Sequence, residues 1–394
     1  MMDLFKKCFD YKDAQIAREN GYYPYFIPFS GGDDTVMVYK GQPKIMIGSN
    51  NYLGLTHHPK VVEAAQQALK IYGTGRTGSR FLNGTLDIHE EFEHELAEFT
   101  NKEAALVFSN GYLVNMGVIS SLLRKNDYVV GDKLNHASIV DGCRFSEANT
   151  VRFRHNDMKD LAKVLKNLPE QVGKLLVVDG VFSMEGDIAN LPEIVRVAKP
   201  FGVRIMVDDA HAIGVLGPNG NGTAAHFGLD DQVDLIMGTF SKSFGALGGF
   251  IAGAYEVVDY IKHNARSMIF TASLPPSVVA STRAALQIIK AEPERRQRLI
   301  EIGNYMRREF KRLGFDTSTS ETPVIPIVIG DNLKTFTFWK MLFEAGVYSN
   351  AVISPAVPSN SSRLRTSYIA THKQEQLDFV LDKFAQIGKQ LGVI

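Results

Sequence analysis

Arg204-Ile205-Met206-Val207-Asp208-Asp209-Ala210-His211 holds a short apolar run that ends abruptly in two carboxylates and an imidazole. Consecutive apolar residues without polar alternation mark a strand buried on both faces. The same grammar recurs on either side. Upstream lie Ala104-Ala105-Leu106-Val107-Phe108, Tyr128-Val129-Val130 and Leu175-Leu176-Val177-Val178; downstream come Leu235-Ile236-Met237 and Gly249-Phe250-Ile251-Ala252. Helix-like stretches separate most of these runs. In Pro59–Ile71, residues Val61, Val62, Ala65, Ala68 and Leu69 recur near a 3.6-residue period, and Asp87–Phe99 reads as a second helix capped by Thr85 or Asp87. Buried strands alternating with helices predict an α/β fold built on a mainly parallel sheet.

The pattern changes after Pro275-Pro276. A helix from Ser277 to about Ile289 and a charged helix over Pro293–Leu313 come before Val324-Ile325-Pro326-Ile327-Val328-Ile329. Proline cannot donate to a ladder, so this run is expected at a sheet edge. The expected organisation is an N-terminal arm (1–45), a large domain (46–275) and a smaller C-terminal α/β domain (276–394). Lys plus Arg equals Asp plus Glu at 43 each, and no long basic block occurs, which argues against nucleic acid as a partner. Cys8 and Cys143 match no metal or redox spacing and are expected as free thiols in a reducing cytoplasm. No signal-peptide run opens the chain, and no stretch of ~18 apolar residues could span a membrane. The segment up to about Asn20 could form an amphipathic helix with Phe5, Cys8 and Phe9 on one side. Packing on its own protein is the expectation for it, and peripheral membrane contact the alternative.

Ligands of open parallel sheets bind beyond the carboxyl ends of the strands, so the residues that follow each run carry the chemistry. Ser109-Asn110-Gly111-Tyr112 opens a helix, whose first backbone N–H groups suit a phosphate. Lys242, in Gly238-Thr239-Phe240-Ser241-Lys242-Ser243, lies beyond an apolar strand among small and hydroxylated residues. A lysine in such surroundings can lose its proton and form a Schiff base. Pyridoxal phosphate (PLP) requires that lysine and an acidic partner for its ring nitrogen. Asp208 suits the second role, while Asp209 points to the opposite side of an extended chain and reads as structural. His211 is either a satisfied core histidine or a partner for the ring hydroxyl. His136, in Asp132-Lys133-Leu134-Asn135-His136-Ala137-Ser138, could stack on the ring.

Two motifs mislead. Gly73-Thr74-Gly75-Arg76-Thr77-Gly78 matches G-x-G-x-x-G but follows a helix instead of a strand, unlike a dinucleotide site. His89 and His94 are one residue too far apart for a zinc-binding H-E-x-x-H helix, so no metal is expected.

Taken together, these residues resemble the α-oxoamine synthase family of fold-type I, aspartate aminotransferase-like PLP enzymes. The resemblance also rests on Ser49–Leu55, Gly78–Thr85, Asn135–Ile139, Asp179–Asp187, Phe270–Pro276 and Arg363-Leu364-Arg365, and it covers nearly the whole chain. It implies that Lys242 carries PLP and moves the substrate Cα proton, Asp208 pairs with the ring nitrogen, His211 bonds the ring oxygen and His136 stacks on the ring. Asn110, Gly111, Tyr112 and Thr239 would approach the phosphate, and Ser183 the ring edge. Thr271 or Ser273 would come from the second subunit of a homodimer. Arg365, with Asn50, would hold the amino-acid carboxylate, with Arg363 as the rival.

The implied reaction is a decarboxylating condensation of an amino acid with an acyl thioester. Within the family, Gly238–Ser243, Gly78–Thr85 and Ser354–Pro358 look most like the members that join L-serine to the long-chain thioester palmitoyl-CoA. Gly245 stands where that subgroup is expected to have alanine, and Arg76 where a small or neutral residue is expected. Arg76 either faces solvent or a CoA phosphate, or adds positive charge near the amino-acid side chain and favours an acidic acceptor such as cysteate.

Overall fold

The computed structural model describes residues 3–394. At its centre is a seven-stranded sheet in the order Ala104–Phe108, Gly249–Gly253, Leu235–Thr239, Arg204–Asp208, Lys174–Asp179, Tyr128–Asp132, Asn149–Phe153. Every pairing is parallel except the two made by Gly249–Gly253. All six expected runs are strands of this sheet. The seventh, Asn149–Phe153, lies at an edge and fully buries only Phe153, so its sequence carries little apolar signal.

The helix Gly111–Leu122 presses Val114, Val118 and Ile119 onto Leu106, Val129, Val177, Met206, Met237 and Ile251 of the sheet. Asn110 caps this helix by accepting from Leu113 N at 2.9 Å. Pro59 opens the helix Pro59–Tyr72, and Gly73 ends it at φ +79°, a left-handed conformation that glycine adopts without strain. The helix Asp87–Phe99 starts differently from expectation. Leu86 is its N-cap, and the Leu86 N–H donates to His89 Nδ1 at 3.1 Å. Thr85 Oγ1 instead donates to Arg80 O at 2.7 Å.

Contacts divide the chain into two compact units, Asn50–Glu301 and the segment ending at Ser49 together with Ile302–Ile394. Both expected boundaries therefore move. Pro276–Ala291 stays with the larger unit because it packs on the helices Pro59–Tyr72 and Asp87–Phe99. The expected arm is in part a structural element of the smaller unit: Gln42–Met46 pairs antiparallel with Val36–Tyr39 and parallel with Val347–Tyr348. The first two residues of that arm lie outside the described residues.

A second small sheet has the order Val324–Gly330, Ser362–Ser367, Asn350–Val352, with the Pro326 strand at its edge. The core of the smaller unit is aromatic. Phe384 meets Phe310 at 5.0 Å and Phe338 at 5.4 Å between ring centroids, and all three are fully buried.

The opening segment forms two short helices, Lys6–Asp10 and Asp13–Glu19, with no buried residue in either. Phe5 and Phe9 are 62% and 70% exposed, so these two rings are not covered by their own chain. No described helix is long and apolar enough to cross a membrane.

Candidate active site

The carboxyl edge of the large sheet lines a cavity of about 440 Å³. Asn110, Gly111, Tyr112, His136, Ser183, Asp208, His211, Thr239 and Lys242 all line it, together with Ser138, Asp179 and Ser241. Lys242 sits in the connection between the antiparallel strands Leu235–Thr239 and Gly249–Gly253. That connection is tight: Phe240 N donates to Gly248 O at 3.0 Å and Ala246 N to Phe240 O at 2.8 Å. Gly245 takes φ +66° there, where a Cβ would also come within 3.0 Å of Thr56. The glycine at this position therefore has a backbone reason.

One end of the cavity suits an anion. The helix Gly111–Leu122 begins there, and its first N–H groups and dipole favour negative charge. Thr239 Oγ1 bonds Ser241 Oγ at 3.0 Å and donates to Gly248 O at 2.9 Å. A Cβ on Gly111 would lie 2.9 Å from Thr239 Oγ1, so glycine lets the helix start approach the strand end.

Deeper in lies a pair of carboxyl groups. Asp179 and Asp208 end neighbouring parallel strands in register. Asp208 is 3% exposed; its Oδ1 accepts from Ala210 N at 3.0 Å and its Oδ2 from Asn115 Nδ2 at 2.6 Å. Asp179 Oδ2 accepts from His136 N at 3.0 Å. Burial, reinforced by the charge of Asp208, pushes the Asp179 carboxyl well above the usual range. Asp209, as expected, faces elsewhere: Thr223 donates to it from both N, at 2.9 Å, and Oγ1, at 2.6 Å. Burial raises its carboxyl to about 7.

Both cavity histidines are anchored through Nδ1. His136 Nδ1 lies 2.7 Å from Ser138 Oγ, and His211 Nδ1 lies 2.6 Å from Tyr52 OH. Burial depresses the basicity of His136, and the charge of Lys242 acts in the same direction. The loop bearing Ser183 is held from behind by His155, whose Nδ1 lies 3.1 Å from Asp132 and Nε2 2.9 Å from Asp187. Phe182 packs against the His155 ring at 4.5 Å.

Arg76, Thr271 and Ser273 are not among the residues that line this cavity. Arg76 is exposed in the segment between the helices Pro59–Tyr72 and Asp87–Phe99 and does not line it. Thr271 and Ser273 line a separate small cleft with Arg80, His89 and Ser109. Asn50 begins the larger unit and is half-buried. Arg365 lies in the smaller unit on the strand Ser362–Ser367, two residues from an equally buried Arg363. Sequence reasoning gave no role to Asp179, Ser138, Asn115 or Tyr52. Asp179 had a signal, since it ends an apolar strand as Asp208 does. Asn115 had another, a lone amide between apolar neighbours in the middle of a helix.

A parallel sheet that collects a lysine, two aspartates, two histidines and a helix start at one edge points to a definite class of enzyme. The sequence profile of the aminotransferase class I and II family matches residues 42–384, and the chain belongs to that family. Within it the similarity narrows to the α-oxoamine synthases. A serine palmitoyltransferase of Sphingobacterium spiritivorum is 51% identical over 380 residues, covering 96% of this chain and 95% of its own. An 8-amino-7-oxononanoate synthase of Lysinibacillus sphaericus is 44% identical over 394 residues, covering all of both chains. The solved structure of a serine palmitoyltransferase variant from S. paucimobilis with a PLP–myriocin aldimine bound superposes with a TM-score of 0.97 at 39% identity, covering all of both chains.

Proposed function

We propose that this chain condenses L-serine with palmitoyl-CoA, giving 3-ketodihydrosphingosine, CoA and CO2. The observation that carries the reading is the 51% identity to a serine palmitoyltransferase across 96% of the chain. The cavity fits PLP on its own terms. It offers a helix start brought close to Thr239 by Gly111, which suits a phosphate, and a buried carboxyl group, which suits a ring nitrogen. Bound there, PLP supplies an electron sink for loss of the amino acid's α-proton and for the later loss of CO2.

The chain's own groups do the rest. Asn110, Gly111, Tyr112 and Thr239 hold the phosphate end. Asp208 would keep a proton on the ring nitrogen, His211 would meet the ring oxygen, His136 would cover the ring face and Ser183 its edge. Lys242 would hold the cofactor, and its Nζ, when free, would take the amino acid's α-proton and later return one. Arg365 receives the amino-acid carboxylate, for which a guanidinium fork is suited.

The working form in this reading is a homodimer in the cytoplasm. Thr271 and Ser273 are outside the cavity of their own chain, and Ser273 Oγ is buried with no hydrogen-bond partner among the described residues. Beside them Phe270 is 72% exposed, and Phe145 of the neighbouring cleft is 67% exposed, an apolar surface suited to a second copy. Thr271 and Ser273 then serve the second copy's cofactor. Cys8 and Cys143 are unpaired thiols, in keeping with a reducing compartment.

The 44% identity to an 8-amino-7-oxononanoate synthase over the full chain favours a second reading, the same chemistry on another amino acid such as alanine, glycine or cysteate. One experiment separates the two. Thiol release from palmitoyl-CoA by PLP-loaded protein is measured with serine, alanine, glycine and cysteate in parallel. Release with serine, abolished by Lys242→Ala, is expected. Release with another amino acid but not with serine overturns the substrate assignment, and a cysteate preference lost in Arg76→Ala would make Arg76 the residue that sets it.

A further inference from the structure

Asp179 and Asp208 stand side by side, and one anion is all that a single ring nitrogen needs. Adjacent in-register residues of parallel strands point to the same face about 4.8 Å apart. Two carboxylates that close, both buried, do not ionise together. Lys242 and His136 face the pair, and Asp132 adds like charge from the next strand. Something must decide which of the two carries the charge.

The hydrogen bonds differ. Asp179's carboxyl accepts from one backbone N–H, that of His136. Asp208 accepts from the N–H of Ala210 and also from the side-chain amide of Asn115, at 2.6 Å. Donors stabilise the charged form of a carboxyl group. Asn115 is 0% exposed and lies mid-way along the helix Gly111–Leu122. Its orientation follows from chemistry: turned over, its Oδ1 would face a carboxylate oxygen. As it stands, Nδ2 donates both protons, one to Asp208 and one to Ser138 Oγ at 2.8 Å. Ser138 Oγ, having accepted, donates its own hydrogen bond to His136 Nδ1, and the Ser138 N–H points at the same atom at 3.2 Å. The proton of the neutral His136 ring is thereby left on Nε2. Asn115 Oδ1 is buried with no hydrogen-bond partner among the described residues. A leucine of similar size would avoid that orphaned acceptor but would take a donor from the buried Asp208 carboxylate, so the amide is there for the groups its Nδ2 serves.

We propose that Asn115 is a positioning residue that assigns the negative charge to Asp208 instead of Asp179, and ties that carboxylate to His136 through Ser138. The inference rests on the PLP reading of the cavity. Its consequence is that the ring nitrogen keeps its proton to a higher pH while Asn115 donates to Asp208.

The test uses full-length protein loaded with PLP labelled with 15N in the ring. In the wild type the ring nitrogen should stay protonated across neutral pH. In Asn115→Leu the pH at which it loses its proton should fall by about one or more, a tenfold change, since a hydrogen bond to a charged group is removed. If that variant does not fold, Asn115→Ala carries the same expectation. Ser138→Ala keeps the bond to Asp208 and should leave the ring nitrogen protonated. A signal unmoved in the Asn115 variants, with the absorbance of the lysine-bound cofactor intact, overturns this inference alone. Absence of that absorbance from the wild type overturns the PLP reading and this inference with it.

Discussion

His155→Gln tests whether the loop behind the cavity is held by charge. In the wild type the imidazole bridges Asp132 and Asp187. Burial pushes its pKa down, but the hydrogen bonds and charges of the two aspartates outweigh burial and raise it to about 10. A rise from 6.5 to about 10 sets a ceiling of roughly 5 kcal/mol, at about 1.4 kcal/mol per tenfold. The His155 side chain keeps 23% exposure, and solvent screening reduces the figure to about 2–3 kcal/mol. Because the folded pKa lies above the unfolded one, this stabilisation is complete below pH 6.5 and fades as pH rises through about 10. Urea unfolding followed by circular dichroism at about pH 6, 7 and 9 reads it out. The wild type should lose about 1–1.5 kcal/mol more than His155→Gln between about pH 7 and 9, since glutamine keeps hydrogen bonds but cannot titrate. Parallel pH profiles for the two proteins would mean that His155 is neutral in the fold and that this account of the loop is wrong.

Three further outcomes are expected. Tyr52→Phe removes the hydroxyl 2.6 Å from His211 Nδ1, costs about 1 kcal/mol at that ring, and should slow turnover about fivefold without changing the melting temperature by more than a few degrees. Gly111→Ala sets a Cβ 2.9 Å from Thr239 Oγ1 and should weaken cofactor retention on dialysis, while unfolding of cofactor-free protein changes little. Phe338→Ala opens the aromatic core of the smaller unit and should destabilise the protein by about 3–5 kcal/mol in chemical denaturation.

The strands that matter most were legible because they are buried on both faces and read as unbroken apolar runs. Asn149–Phe153 escaped because an edge strand can remain polar. Lys242, Asp208, His136 and His211 could be placed because each follows an apolar run within a few residues, and sheet topology carries such positions to one edge. Asn115 and Tyr52 could not be placed in the same way. They act through partners 93 and 159 residues away in the chain, and no local pattern encodes a hydrogen bond of that span. The domain boundaries failed for a related reason. A change of composition at Pro275-Pro276 looks like a border, but Pro276–Ala291 is held to the larger unit by packing on helices some two hundred residues earlier.

The smaller unit is assembled from both ends of the chain, which has a consequence for synthesis. Asn50–Glu301 is continuous, and it can collapse while the ribosome is still at work. Gln42–Met46 emerges early but must wait for Val347–Tyr348, about 300 residues later, before its open edge is paired. At about 5–20 residues per second that interval is roughly 15–60 s. During it the hairpin of Val36–Tyr39 and Gln42–Met46 shows an unpaired edge to whatever is nearby, including other nascent copies. The yield of native protein in a cell should therefore depend on what shields the first fifty residues until the last fifty arrive.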